Sequence, residues 1–139
     1  MIILDTNVIA EAMKGPHADP CVLRWLRALP STPVTTIINR AEVLAGIEIL
    51  PDGRRKTALA TAAHAAFGML GACLPLTSEC ADRYAEIVAA RRRAGKPIAT
   101  MDALIAAIAL ETGAAVATRD EGGFEGLGLT VINPFTGGK

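Results

Sequence analysis

The sequence predicts an α/β fold, with a short, mainly parallel sheet of four or five strands and helices on both faces. Two observations predict it. Short apolar runs that stop at polar residues recur near residues 1–4, 34–35, 73–76, 115–118 and 129–132, with helically spaced segments between most of them. Strands joined through helices lie parallel, and the crossovers cover the sheet. The composition agrees. Hydrophobic residues make up 51% of the chain but aromatics only 4%, so Ala, Leu, Ile and Val must build the core. Small side chains of that kind let helices pack closely on a sheet. A length of 139 residues suits one domain, 1–139, with one core.

The first strand is Met1 to Leu4, closed by Asp5. Thr6 and Asn7 make the turn, and Val8, Ile9, Ala12 and Met13 repeat with helical spacing. Asp5 therefore lies at the carboxyl end of a strand, where open parallel sheets bind ligands. Asp is also a good N-cap, and capping of the following helix competes with chemistry as its reason. After the break at Lys14-Gly15-Pro16, a helix over 19–29 carries Val22, Trp25, Leu26 and Leu29 as its buried stripe. Val34 and Thr35 make a very short strand. The helix after it, to about Leu50, points Ile38, Ala41, Leu44 and Ala45 inward. If Asn39 caps it, Glu42 occupies the capping-box position.

Pro51-Asp52-Gly53 is a turn. A long Ala-rich helix follows, with Leu59, Ala62, Ala63, Ala66, Phe67 and Leu70 on one face. Cys73 to Leu76, interrupted by Pro75, reads as an edge strand. Thr77 or Ser78 caps the next helix, which buries Ala81, Tyr84, Ile87 and Val88. It ends at Arg91-Arg92-Arg93 before Gly95 and Pro97, a pattern that a basic helix C-terminus explains. Thr100 caps another helix with Asp102 in its first turn and Gly113 as its stop. Ala115 to Thr118 is a strand closed by Arg119 and Asp120. The glycine-rich run 121–128 is a loop, and Leu129 to Ile132 is the last strand.

The formal net charge is zero, so global electrostatics give no reason for non-specific binding to nucleic acid or to a membrane surface. The three cysteines, Cys21, Cys73 and Cys80, form no C-x-x-C pair. Neither a disulfide framework nor a zinc site is expected, and a reducing cytoplasm is the simpler setting. The first apolar run is too short for a signal peptide, and no stretch is long enough to span a bilayer.

Four carboxylates share one placement. Asp5 and Asp120 follow strands, Glu42 lies one turn into a helix that follows a strand, and Asp102 lies in the first turn of a helix. Each has a local explanation as a cap or a dipole partner. Together they fall on the carboxyl edge of the sheet. Carboxylates gathered there repel unless protonated or bound to a cation, and all-oxygen ligands point to Mg²⁺ or Mn²⁺.

MIILDTNVIAEAM, Ala41-Glu42, RRRAGKPIATMDALIAAIAL and the ATRD strand end together resemble the PIN-domain nucleases. More narrowly, they resemble the VapC and FitB type toxins of bacterial toxin–antitoxin modules. The resemblance covers nearly the whole chain, and its specificity lies in the combination of segments. It implies a three-layer α/β/α sandwich and a Mg²⁺- or Mn²⁺-dependent ribonuclease. The family's acidic quartet falls on Asp5, Glu42, Asp102 and Asp120. Asp5 and Asp102 are expected as direct metal ligands. Glu42 and Asp120 are expected to hold a second ion, orient metal-bound water or act as base. Thr118 resembles the family's hydroxyl near the site, and Thr6 and Asn7 are expected to shape the turn. The strand end often reads T-R-N in this group, and Asp120 adds a charge there. A homodimer, an RNA substrate and a small antitoxin that blocks the site are implied as partners, with no membrane.

Two other readings compete. A receiver-like protein phosphorylated on aspartate also places acids at strand ends, but it needs a Lys at a late strand end, where this chain has Arg119 and Asp120. A non-catalytic RNA-binding or scaffold domain of the same fold has no reason to keep four carboxylates that repel phosphate. His17 and His64 are expected to be ordinary residues.

Overall fold

A computed structural model describes residues 1–138 of the chain. Its strands are β1 (Ile2–Leu4), β2 (Thr35–Thr36), β3 (Cys73–Leu74), β4 (Ala115–Ala117) and β5 (Val131–Ile132). Its helices are α1 (Thr6–Ala12), α2 (Pro20–Ala28), α3 (Ile37–Glu48), α4 (Arg54–Met69), α5 (Cys80–Arg93) and α6 (Thr100–Thr112). Short 3₁₀ turns occupy Gly15–His17, Glu121–Phe124 and Pro134–Thr136.

All strand pairs are parallel. β1 pairs with β4 in the register Ile2 to Ala115, and β4 pairs with β5. β2 pairs with β3 as a separate two-stranded piece. A parallel bridge between Ile3 and Val34 joins the two pieces, through Leu4 N–H to Val34 O and Val34 N–H to Ile2 O, both 2.9 Å. The strands thus run in the order β5, β4, β1, β2, β3, with β1 in the middle. The carboxyl ends of β1, β2 and β4 consequently share one edge.

Side chains alternate across strands, and β1 shows the result. Ile3 joins a core with α5 and α6, whereas Leu4 joins another with Val8, Ile9, Val22, Val43, Ile47 and Ala63 from α1 to α4. Val116 and Ala117 of β4 divide in the same way. Two cores on opposite faces of one sheet make the expected three layers. α6 has Ala103 and Ile105 to Ala109 buried. No side chain caps its start, since its N-cap is Ala99 and Thr100 is already helical. A missing cap costs about 1 kcal/mol. Burying Ile105 or Ile108 contributes about 1.5–3 kcal/mol each, so packing decides this helix. Gly113 ends it in the left-handed region at φ 71°.

Other local expectations are corrected. Thr36, not Asn39, caps α3: its hydroxyl accepts from Asn39 N–H, which removes Glu42 from any capping-box position. The buried face of α3 is Asn39, Val43 and Ile47, while Ile37, Ala41, Leu44 and Ala45 are exposed. The helix is apolar on several faces, so periodicity alone does not choose among them. The cap of α5 is Glu79 without a side-chain bond, not Thr77 or Ser78, and Ala81 faces solvent. Val34, Thr118 and Leu129 lie just outside the strands. All three cysteines are free thiols. No helix among the described residues is long and apolar enough to cross a membrane.

Candidate acidic site

Asp5 leaves β1 at the centre of the sheet, its N–H donating to Ala117 O at 2.9 Å. Its carboxylate caps α1 by accepting from Thr6 N–H at 2.9 Å. It also accepts from Asn39 Nδ2 at 3.0 Å, Thr118 Oγ1 at 2.7 Å and Asn7 Nδ2 at 3.4 Å. Capping and site placement are therefore both true of Asp5. A buried carboxylate with this many donors is held in one orientation.

The supporting residues do more than shape a turn. The Thr118 hydroxyl donates to Asp5 and accepts from Asn7 Nδ2 at 3.1 Å and from Asp120 N–H at 3.0 Å, which uses its whole hydrogen-bonding capacity. Asn7 Oδ1 accepts from Arg119 N–H at 3.0 Å, tying the end of β4 to the start of α1. Thr6 Oγ1 donates to Glu42 Oε1 at 2.9 Å, bringing α3 to the same edge.

Asp120 caps the 3₁₀ turn after β4, accepting from Gly123 N–H at 3.2 Å. A Cβ at position 123 would lie 2.7 Å from Asp120 Oδ2, so a larger residue there would have to displace this carboxylate. Asp102 projects from the first turn of α6, half-buried. Burial pushes its carboxyl up to about 6, and the negative charges of Asp5, Asp120 and Glu42 push the same way, partly offset by Arg91. The other three sequence-predicted carboxylates thus all act on Asp102.

Among the described residues, no three His, Cys, Asp or Glu side chains close into an all-protein metal cage. Mg²⁺ does not require one. It keeps several waters and takes one or two carboxylates. The donor set fits such an ion: oxygen only, with an unbalanced repulsion that raises Asp102. His17 and His64 are exposed. Lys96 faces Glu125 at 3.7 Å, and Arg119 at the late strand end faces Glu11 at 3.7 Å and stacks on Phe135 at 3.8 Å. Neither cation offers what the receiver-like reading requires.

Arg91 is a residue that sequence reasoning missed. Its neighbours Arg92 and Arg93 are exposed, but Arg91 is buried. Its guanidinium donates to Lys96 O at 2.7 Å, Gly123 O at 2.9 Å and Glu125 O at 3.3 Å, pinning the loop that follows Asp120. A helix C-terminus rich in arginine hides which one turns inward. Arg91→Ala should cost about 3 kcal/mol, because three carbonyls lose a charged donor. Thermal or denaturant unfolding checks this, and Arg92→Ala should stay within about 0.5 kcal/mol of the parent.

The PIN domain family model matches residues 2–128. The chain is 44% identical to the plasmid stability protein StbB of Pseudomonas syringae pathovar tomato, across 97% of this chain and 99% of that protein. It is 37% identical to the VapC ribonuclease Y4jK of Sinorhizobium fredii, across 97% and 98%. Its structure is similar to the crystal structure of FitAcB from Neisseria gonorrhoeae, with a TM-score of 0.86 at 35% identity, across 97% of this chain and 99% of that one.

Proposed function

This chain belongs to the PIN domain family, and from that premise we propose that it is a divalent-metal-dependent endoribonuclease, the toxin of a toxin–antitoxin module. The observation that carries the proposal is the action of Asp5, Glu42 and Asp120 on Asp102 at one sheet edge. A related protein named as a VapC ribonuclease supports the choice of RNA as substrate.

Asp5 and Asp102 are the proposed ligands of Mg²⁺ or Mn²⁺, with Glu42 and Asp120 reaching a second ion or its water. A divalent cation held there supplies Lewis-acid polarisation of the phosphodiester and a water of lowered pKa. The chain supplies the rest. The donors around Asp5 hold its carboxylate ready without reorganisation. Thr6 aims Glu42, and the cap at Gly123 aims Asp120. Asp102, whose carboxyl its acidic neighbours push up, is the residue whose repulsion a bound cation would relieve.

The protein, as one domain over 1–139 in the cytoplasm, should cleave a structured RNA with Mg²⁺ or Mn²⁺ and stop with EDTA. Undiminished cleavage in EDTA sinks the proposal. A homodimer and a small antitoxin complete it. Support for the dimer comes from Ile37 and Leu44, exposed large apolar residues seven positions apart on α3. Light scattering should give twice the monomer mass, and a monomer across a wide concentration range refutes the dimer. Co-expression with a small adjacent gene should relieve growth arrest through a stable complex.

A further inference from the structure

We propose that Asn39 is a positioning residue of the acidic site: its side-chain amide fixes Asp5 and, through the Thr6 hydroxyl, aims Glu42, so that both carboxylates meet a divalent cation as one unit. The inference rests on the metal-dependent reading above and adds to it a residue outside the acidic quartet.

Asn39 is completely buried, where an apolar side chain is the ordinary occupant. Capping does not explain its presence. The bond to the cap, Asn39 N–H to Thr36 Oγ1 at 3.1 Å, uses the backbone and would survive in any non-proline residue. The side chain is engaged elsewhere. Its Nδ2 donates to Asp5 Oδ1 at 3.0 Å and to Thr6 Oγ1 at 3.1 Å. Its Oδ1 accepts from Thr36 Oγ1 at 2.7 Å.

These partners fix which way the amide points. The Thr36 oxygen already accepts from a backbone N–H, so its proton turns to Asn39 Oδ1. A carboxylate accepts only, so Nδ2 must face Asp5. The direction then passes onward. Thr6 Oγ1 receives a proton from Asn39, and its own proton goes to Glu42 Oε1 at 2.9 Å. A hydroxyl has only one proton, so while Thr6 serves Glu42 it cannot turn toward Asp5. One buried amide thus holds the Asp5 carboxylate directly and sets the donor direction of the hydroxyl that holds Glu42. Strand β1 and helix α3 present their carboxylates in a fixed relation.

The test is Mn²⁺ binding to the full chain by calorimetry, with thermal melts in EDTA to confirm folding. Asn39→Ala should weaken Mn²⁺ binding at least about tenfold, the lower end for loss of an outer-shell partner. Thr6→Val should also weaken it. The double variant should bind about as weakly as Asn39→Ala alone, because both changes cut the same relay. A folded Asn39→Ala protein with the parent affinity overturns the proposal, as do two losses that multiply in full. Should Asn39→Ala fail to fold, Thr6→Val decides the matter, since Thr6 is only half-buried and valine matches its shape. Parent affinity in Thr6→Val then overturns the proposed coupling. A parent chain that binds no Mn²⁺ overturns the metal-dependent reading itself, a result distinct from unchanged variants of a binding parent.

Discussion

Asp5→Asn and Glu42→Gln should each lower RNA cleavage on the order of 10³-fold, the scale of removing one directly acting electrostatic group, yet only Asp5→Asn should lose stability. The difference lies in their surroundings. Asp5 receives donors at both oxygens, from Thr6 N–H, Asn39, Thr118 and Asn7. An asparagine places its own NH₂ group among them, and at least one buried donor is left unmatched at a cost of about 1–3 kcal/mol. Glu42 accepts one bond, from Thr6, and the carbonyl oxygen of glutamine accepts it equally. Single-turnover cleavage with Mn²⁺, paired with melts in EDTA, separates the two effects. Cleavage at the parent rate in either variant removes that carboxylate from the chemistry.

Asp102→Asn should reverse its effect on stability when metal is added. The folded-state pKa of Asp102 is about 6, above its ordinary 3.8. The folded chain thus holds this proton more tightly than the unfolded chain does, and stability falls as pH rises from about 4 to about 6. The resulting penalty is complete above pH 6 and absent below pH 3.8. Without metal at pH 7.5, Asp102→Asn should melt at or above the parent, by about 1 kcal/mol after solvent screening of a half-buried group. At pH 3.5 the two should melt together. With metal at a hundred times its Kd, the parent should gain about 2.7 kcal/mol, or about 8 °C for a chain of this size. The variant should gain much less. If Asp102→Asn is strongly destabilised in EDTA yet gains as much from metal, Asp102 serves the start of α6 through the helix dipole.

The acidic edge was legible because its signals are local in sequence. An apolar run that ends abruptly at Asp5, and another that ends before Asp120, place carboxylates at strand ends whatever the rest of the fold does. The helix over 100–112 is equally plain, since Ile105 and Ile108 recur at helical spacing and Gly113 stops it. What was hidden depends on contacts distant in sequence. Asn39 looks like a cap until Thr36 is seen to take that place and Asp5, 34 residues away, is seen to receive its amide. Arg91 looks like its neighbours until the carbonyls of Gly123 and Glu125 are found beside it. The inward face of α3 was misread because Leu44 and Ala45 compete with Val43 and Ile47 on hydrophobicity alone. Only packing against α1 and α4 chooses between them.

The pairing of β1 with β4 has a consequence for biosynthesis. Ile2 must meet Ala115 in register, and Asp5 receives the Thr118 hydroxyl from 113 residues away. Contacts so distant along the chain close late and slowly, because the intervening loop entropy is lost before they form. A ribosome that has released only the first hundred residues has exposed an N-terminal strand lacking its central neighbour and an Asp5 lacking one of its closest donors. The acidic site therefore closes near the end of translation. Chains that end before residue 115 should lack an assembled acidic site, which metal binding by truncated chains would check.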